Sequence, residues 1–250
     1  MKALLSKWRN SGSEETLQIL HAETPPLLGA QMSIAYFSPR VGGDFHDFAR
    51  VGTTRVVFIL LDVAGKRGSC TAILEAAKVC FRSSAKEIFS APEPNESEAM
   101  IELSRRLNLT IMRAADGVRS CPAFAGCYNE KLGTVCYINA GHTPGLLLHE
   151  GTVDELPATG LPLGLFSLAP TDARIVGLGS NGSLVVVSRG VVEAESKDSE
   201  FGLEGVKNVL LAEPAPAEVL SLRILEEVQA FMHTLPKHND VTALTLTRGQ

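Results

Sequence analysis

The 250-residue sequence lacks the features that mark several protein classes. Its five cysteines include no C-x-x-C pair, which argues against the usual structural zinc site. No apolar run approaches the roughly 20 residues of a membrane-spanning helix. Residues 1–10 carry charges and a tryptophan instead of the apolar stretch of a secretory signal. We therefore expect a cytoplasmic protein whose cysteines are small buried apolar residues.

The sequence also has no large excess of charge of either sign. It contains 23 Lys and Arg against 28 Asp and Glu, a formal net charge of −5, and the acidic residues are scattered. Proteins that bind nucleic acid or anionic lipid through a broad surface need a basic patch. We therefore predict no nucleic-acid partner and no membrane partner.

No internal repeat, low-complexity tract or long Gly/Ser linker divides the chain. We predict an N-terminal arm at residues 1–20 and one domain at residues 21–250. Hydrophobic periodicity predicts the secondary structure within this domain. The predicted strands are 32–36, 55–63, 123–128, 133–139, 145–149, 151–156, 173–176, 184–187 and 241–247, and the predicted helices are 69–90, 96–115 and 217–233.

The order of these elements predicts the fold class. Strands and helices come in blocks without β-α-β alternation, which favours α+β with antiparallel sheets. Two sheets packed together, with helices outside, bury both faces of apolar strands such as 55–63. The four strands between residues 123 and 156 are expected to form a meander, and His142 is expected to brace one of its turns.

Two aspartates beside glycines are candidates for chemistry. Residues 42–47 read Gly-Gly-Asp-Phe-His-Asp, and the apolar strand 55–63 carries Asp62 near its end. A buried carboxylate must be paired, hydrogen-bonded or bound to a cation, because an isolated buried charge is too costly. Glycines let backbone groups approach a ligand, and carboxylates suit a hard divalent cation. The spacing alone equally allows Asp44 and Asp62 to cap turns.

Seven short motifs occur in a fixed order and together resemble one protein family. They are Gly-Gly-Asp-Phe-His-Asp (42–47), Asp-Val-Ala-Gly-Lys (62–66), Asn-Ala-Gly-His-Thr-Pro (139–144), Gly-Leu-Pro-Leu-Gly (160–164), Gly-Val-Val-Glu-Ala (190–194), Phe-Gly (201–202) and Asp-Val-Thr (240–242). The sequence resembles the SpoIIE-type branch of the bacterial metal-dependent (PPM) protein serine/threonine phosphatases over residues 20–248.

This resemblance implies a fold, an activity and a partner. The fold is an antiparallel β-sandwich flanked by α-helices on both faces, with two Mn²⁺ or Mg²⁺ ions at one end. Family members hydrolyse phosphoserine or phosphothreonine without a covalent intermediate, using a water that bridges the metals. The usual substrate is a phosphorylated STAS-type anti-anti-sigma factor in a partner-switching signalling cascade. The oligomeric state stays open, with a dimer as one alternative.

Three of the metal-binding positions that the resemblance implies are intact. Asp62 matches the aspartate that bridges the two metals, and Val63 matches the position whose backbone carbonyl binds one of them. Asp44 matches the aspartate of the Gly-Gly-Asp motif, which holds a metal or its waters. These residues are expected to be catalytic or metal-binding.

Two other positions depart from the family pattern. Where the family has Thr-Asp-Gly, this chain has Arg189 in place of the ligand aspartate, and the usual Asp-Asp near the C-terminus begins with Asn239. Four carboxylates would supply a charge of −4, whereas Asp44, Asp62 and Arg189 sum to −1, or −2 if Asp240 turns inward as a ligand. Such a site is expected to hold one Mn²⁺ or Mg²⁺, or none, in place of two.

Three hypotheses follow. In an active phosphatase, one metal stays near Asp44 and Asp62, Arg189 binds the phosphoryl group, and Lys66 contributes to substrate binding. In a pseudophosphatase, Arg189 forms an ion pair with Asp62 and the fold serves as a regulatory binding module. A nucleotide cyclase is suggested by Gly-Gly-Asp-Phe alone, although Phe45 stands where the cyclase motif needs a second acidic residue.

Two further residues carry open interpretations. His46 stands where the family more often has Tyr, and we expect a solvent-facing loop histidine in preference to one that titrates within the site. Glu193 either binds a metal-bound water or caps a helix.

Overall fold

The computed structural model describes residues 19–37, 43–63, 67–115, 119–196, 199–232 and 240–249. These residues form two antiparallel sheets that share an apolar core. The strands, in chain order from β1 to β13, are Leu20–His21, Ala30–Phe37, Asp44–Val51, Arg55–Asp62, Ala123–Asn129, Thr134–Ala140, Gly145–His149, Thr152–Leu156, Arg174–Gly177, Ser183–Val187, Glu195–Ser196, Ser199–Glu200 and Val241–Arg248. One sheet has the order β1-β2-β13-β10-β7-β8 and the other β3-β4-β5-β6-β9, while β11 and β12 form a separate hairpin.

Helices cover the outer face of each sheet. The described helices, from α1 to α5, are Arg67–Ile88, Glu96–Ala114, Arg189–Val192, Gly202–Ala212 and Ala217–Phe231. The first two pack on the five-stranded sheet, and the last two pack on the six-stranded sheet. The layers therefore run helix, sheet, sheet, helix, which confirms the predicted α+β sandwich with helices on both faces. None of the described helices is long and apolar enough to cross a membrane.

The strand β4 shows how this layering positions a carboxylate. All of its residues are buried, because alternate side chains enter two different cores. Val56, Phe58 and Leu60 enter the core between the sheets, and Val57, Ile59 and Leu61 enter the core beneath α1 and α2. The strand ends at Asp62, which is only 7% exposed. A charged group at the end of such a strand must be compensated by its neighbours.

Most of the predicted elements are confirmed, but several details are different. The strand β3 and the helices α3 and α4 were not predicted; the polar residues within β3 break the apolar alternation on which the prediction depends. The predicted meander is wrong, because β5 pairs with β6 in one sheet and β7 pairs with β8 in the other. Four of the cysteines are buried as expected, and Cys80 is partly buried.

The turn that carries the chain between the sheets, residues 141–144, is braced by His142. The side chain of Asn139 accepts a hydrogen bond from the backbone N–H of His142 at 2.8 Å, and Thr143 Oγ1 donates to the carbonyl of Val187 at the end of β10. His142 Nδ1 lies 3.0 Å from Thr143 Oγ1. Because the hydroxyl proton is already donated to Val187, Nδ1 carries the imidazole proton and donates it to Thr143. This network supports the expected structural role and holds the end of β10 in place.

Replacing His142 should change how stability depends on pH. Burial lowers the pKa of His142 from 6.5 to about 4, so the unfolded chain binds a proton between these pH values that the folded chain does not bind. The contribution of His142 to the free energy of unfolding is therefore fully present above pH 6.5. It is lost as the pH falls towards 4, which lowers the free energy of unfolding by about 3 kcal/mol. Urea unfolding of His142→Gln at pH 7 and pH 5 should give a stability difference about 2 kcal/mol smaller than in the wild type.

The exposed His149 provides the control, since His149→Gln should leave the difference between pH 7 and pH 5 at its wild-type size. An unchanged difference in His142→Gln would show that this imidazole does not govern the acid sensitivity of the fold.

Candidate active site

Residues far apart in the sequence meet at one end of the sandwich. In the antiparallel pair of β3 and β4, Asp44 lies directly opposite Asp62. The start of β13 and the end of β10 meet in the other sheet, where the register pairs Ala243 with Val187. Asp240 precedes β13 and Arg189 follows β10, so both reach the same end. The structure thus brings together the aspartates and the arginine that the sequence predicted as site residues.

Gly43 allows the backbones of β3 and β4 to approach closely at the site. The N–H of Val63 donates to the carbonyl of Gly43 at 2.8 Å. A Cβ on Gly43 would lie 2.6 Å from the carbonyl oxygen of Val63, which no side chain tolerates. The same carbonyl accepts a hydrogen bond from Cys70 Sγ at 3.4 Å. The glycine next to Asp44 is therefore required by the geometry at the predicted carbonyl ligand.

Asp44 is held by hydroxyl groups but is strongly opposed by other carboxylates. Thr242 Oγ1 donates to Asp44 Oδ2 at 2.8 Å. The pKa of Asp44 is raised to about 8, first by burial and then by the negative charges of Asp62 and Asp240, against the lowering effect of the hydroxyls of Ser188 and Thr242. The ionised form of Asp44 therefore needs more positive charge than these residues supply.

The side chain of Asp240 turns inward, so its carboxylate belongs to the site. Its Oδ2 accepts hydrogen bonds from the backbone N–H groups of Gly43 at 2.7 Å and Asp44 at 3.1 Å. Its Oδ1 is buried without a hydrogen-bond partner among the described residues. With all three carboxylates ionised (−3), the guanidinium of Arg189 (+1) gives a formal charge of −2, the value expected from the sequence for an inward Asp240. The raised pKa of Asp44 shows that its ionised form is the one that needs further positive charge.

Arg189 forms an ion pair with Asp62. Arg189 Nε lies 3.3 Å from Asp62 Oδ2 and 3.8 Å from Glu193 Oε2, and the Arg189 side chain is 48% exposed. Burial raises the pKa of Asp62, the charge of Arg189 lowers it, and Asp240 raises it, so that the pKa remains above its ordinary value. One guanidinium therefore compensates only part of the charge at Asp62.

The two oxygens of Asp62 face different neighbours. While Oδ2 faces Arg189, Oδ1 lies 3.8 Å from the position that a Cβ on Gly43 would take. One oxygen of the carboxylate therefore lies beside the guanidinium, and the other lies near Gly43, the residue before Asp44.

The remaining predicted site residues have mixed outcomes. His46 lies within β3, where it is half-buried with its ring centroid 4.6 Å from that of Tyr36, so the expectation of a loop position is wrong. Burial lowers the pKa of His46. Glu193 follows the last residue of α3 as its C-cap. Lys66 and Asn239 lie outside the described residues.

The sequence analysis did not assign roles to Ser188 and Thr242. Ser188 Oγ lies 3.2 Å from the carbonyl of Asp240 and accepts from the N–H of Thr242 at 3.0 Å, so it ties β10 to β13 beneath Asp44. Ser188 directly precedes Arg189, and Thr242 is the last residue of the motif at 240–242. A regular strand turns alternate side chains to one face, which is the signal that groups Asp240 with Thr242.

The residues around Asp62 include oxygen donors of the kind that a hard divalent cation prefers. Within the described residues, no group of three or more His, Cys, Asp or Glu side chains is arranged to enclose a metal. However, Mg²⁺ commonly binds through one or two carboxylates and keeps several waters. Asp44 and Asp62 lie opposite each other on paired strands, and Asp240 Oδ1 is buried without a hydrogen-bond partner among the described residues. Asp62 Oδ2 already faces Arg189.

Comparisons with known proteins agree with this architecture. The sequence model of the family described as Stage II sporulation protein E (SpoIIE) matches residues 52–249. The chain is 26% identical over 184 residues to the phosphoserine phosphatase RsbP of Bacillus subtilis, a match that spans 72% of this chain and 44% of RsbP.

Two solved structures share the fold. The RsbU and RsbW domains of a Mycobacterium tuberculosis protein match with a TM-score of 0.70 at 21% identity, over 90% of this chain and 63% of theirs. The PP2C phosphatase domain of SpoIIE from Bacillus subtilis, solved with a fragment of its regulatory domain, matches with a TM-score of 0.68 at 14% identity, over 94% and 72%. The family match favours the phosphatase-like hypotheses over the cyclase hypothesis. The chain therefore belongs to the SpoIIE family of PPM-type phosphatase domains.

Proposed function

We propose that this domain is a protein serine/threonine phosphatase that works with one divalent cation, Mn²⁺ or Mg²⁺, and with Arg189 in the place of a second. The observation that carries the proposal is that the two carboxylate oxygens of Asp62 have different neighbours. Its Oδ2 faces a guanidinium, and its Oδ1 lies on the side of Gly43. One oxygen of this carboxylate is therefore already matched with a fixed positive charge, and the other would be left for a single cation.

The residues on the other side of Asp62 would hold the single cation. Asp44 and Asp62 supply carboxylates, Val63 supplies its carbonyl, and Asp240 supplies negative charge through its unpartnered Oδ1. A divalent cation in such a site supplies Lewis acidity towards phosphoryl oxygens and water. The hydroxyl of Thr242 orients Asp44, and Asp240 aligns the backbone of Gly43 through its two hydrogen bonds.

Arg189 would bind the phosphoryl group of the substrate. Its Nε faces Asp62, and about half of its side chain is exposed to solvent. A guanidinium binds phosphate oxygens with two parallel N–H donors. Lys66 is proposed as a second substrate contact from its place in the motif of residues 62–66.

The proposed substrate is a phosphorylated protein. More specifically, we propose a STAS-type anti-anti-sigma factor. Membership of the SpoIIE family supports a phosphoprotein, and RsbP, which this chain resembles over part of its length, is a phosphoserine phosphatase. The assignment to a partner-switching cascade rests on the resemblance of the motifs.

The Arg189–Asp62 ion pair also favours a second candidate, a pseudophosphatase. If the ion pair with Arg189 prevents Asp62 from binding a cation, the domain does not hydrolyse phosphate. It would then bind a partner at this end of the sandwich and release it unchanged. The two candidates differ in one measurable property, which is turnover with a divalent cation.

Hydrolysis of p-nitrophenyl phosphate and of a phosphoserine peptide should depend on Mn²⁺ or Mg²⁺. Asp62→Asn should reduce kcat at least about 100-fold, because it removes a carboxylate that faces both the cation position and Arg189. Asp154→Asn, at an exposed position of β8, is the control and should retain wild-type turnover. Absence of turnover at every concentration of either metal would remove the phosphatase proposal and leave the pseudophosphatase.

Restoring the family residues should strengthen the dependence on metal. The double substitution Arg189→Asp and Asn239→Asp changes the charge of the site by −3, and we expect Mn²⁺-dependent activity to rise at least about tenfold as a second cation binds. The stoichiometry of Mn²⁺, measured by calorimetry, should rise from one to two. If the double variant folds but shows neither change, the substituted positions do not limit the site.

A further inference from the structure

Arg189 has two carboxylate neighbours, and its guanidinium is accessible from solvent. Its Nε lies 3.3 Å from Asp62 Oδ2, whereas Glu193 Oε2 lies at 3.8 Å, one turn along the same short helix. The Arg189 side chain is 48% exposed and that of Glu193 is 46% exposed, while that of Asp62 is only 11% exposed. Because about half of the Arg189 side chain is exposed and its Nε lies 3.3 Å from Asp62 Oδ2, a phosphate can approach Arg189 from solvent and compete with the carboxylate for it.

The same carboxylate faces the position proposed for the cation. Asp62 turns Oδ2 to Arg189, and its Oδ1 lies on the side of Gly43. A divalent cation at Oδ1 and the guanidinium at Oδ2 would thus share one carboxylate, and their positive charges repel each other. In a partly buried site this repulsion is screened less than in water.

We propose that Arg189 couples the two ligands of this site, so that it weakens cation binding when no phosphoryl group is present and makes phosphoryl binding favour the cation. This inference rests on the one-cation site of the proposed function. A phosphoryl dianion bound by Arg189 neutralises the guanidinium and draws it away from Asp62, which frees the carboxylate for the cation. Glu193 provides a second acidic neighbour for Arg189 in the released position.

The coupling is reciprocal by thermodynamic linkage. If a phosphoryl group raises the affinity for the cation by some factor, the cation raises the affinity for the phosphoryl group by the same factor. The domain would then bind a divalent cation weakly while it waits for a substrate and strongly once a phosphorylated partner has docked. A family site with an aspartate in place of Arg189 has no such opposing charge.

The test is calorimetric titration of Mn²⁺ into the full 250-residue chain, with and without O-phospho-L-serine, for the wild type, Arg189→Gln and Arg82→Gln. Without phosphoserine, Arg189→Gln should bind Mn²⁺ at least about fivefold more tightly than the wild type. Phosphoserine should tighten Mn²⁺ binding in the wild type by a larger factor than in Arg189→Gln. Direct contact between Mn²⁺ and phosphate contributes to both factors. The ratio of the wild-type factor to the Arg189→Gln factor therefore isolates the contribution of Arg189.

Arg82→Gln is the matched control. Arg82 is 56% exposed and pairs with the buried Asp47 at 2.6 Å, so the substitution removes the same charge from a similar ion pair. This variant should bind Mn²⁺ as the wild type does. An equal gain in Arg82→Gln would assign the effect to net charge and overturn the inference.

The outcomes separate this inference from the proposed function. If the wild type binds one Mn²⁺ and Arg189→Gln binds it no more tightly, Arg189 does not oppose the cation, and the coupling is wrong although the one-cation site stands. If none of the variants binds Mn²⁺ under either condition, the one-cation site is wrong, and the coupling falls with it.

Discussion

Repulsion among buried carboxylates is the constraint on which this end of the sandwich depends. Asp44 and Asp62 face each other across two paired strands, and Asp240 approaches from the second sheet. The consequence is visible at Asp44, whose pKa rises to about 8. Backbone amides, two hydroxyls and one guanidinium each offset part of this repulsion, and the raised pKa of Asp44 shows that they do not offset all of it. This incomplete compensation is the electrostatic basis of the one-cation proposal.

The core of the fold is built from apolar side chains. Apolar side chains fill the space between the sheets and beneath both helical layers, and strands such as β4 are buried along their whole length. Apolar packing therefore sets the layering of the sandwich, and the charged residues lie at its end. In the proposed function, Arg189 supplies a fixed monovalent charge where the family pattern has a ligand aspartate. Its guanidinium is tethered to the short helix α3, so its presence does not vary with the concentration of metal.

Sequence patterns predicted the parts of the fold in which periodicity is strong. The long helices and the apolar strands were found because each repeats at its own period. β3 was missed, since Asp44, His46, Asp47 and Arg50 interrupt the alternation in an edge strand. The assignment of β5 to β8 to one meander failed for another reason. Alternation shows that a strand has a buried face, but it carries no information about which sheet that strand joins.

For the candidate site, the motifs identified Asp44, Asp62, Val63 and the unusual Arg189 from residue types and order alone. The sequence by itself also determined the family fold and the loss of two expected carboxylates, because these are properties of which residues are present. Only the tertiary structure decided that Asp240 turns inward, that Thr242 and Ser188 support Asp44, and that Arg189 faces one oxygen of Asp62. These are distances between residues as many as 198 positions apart in the chain. They are set by the packing of two sheets, which no local pattern in the sequence encodes.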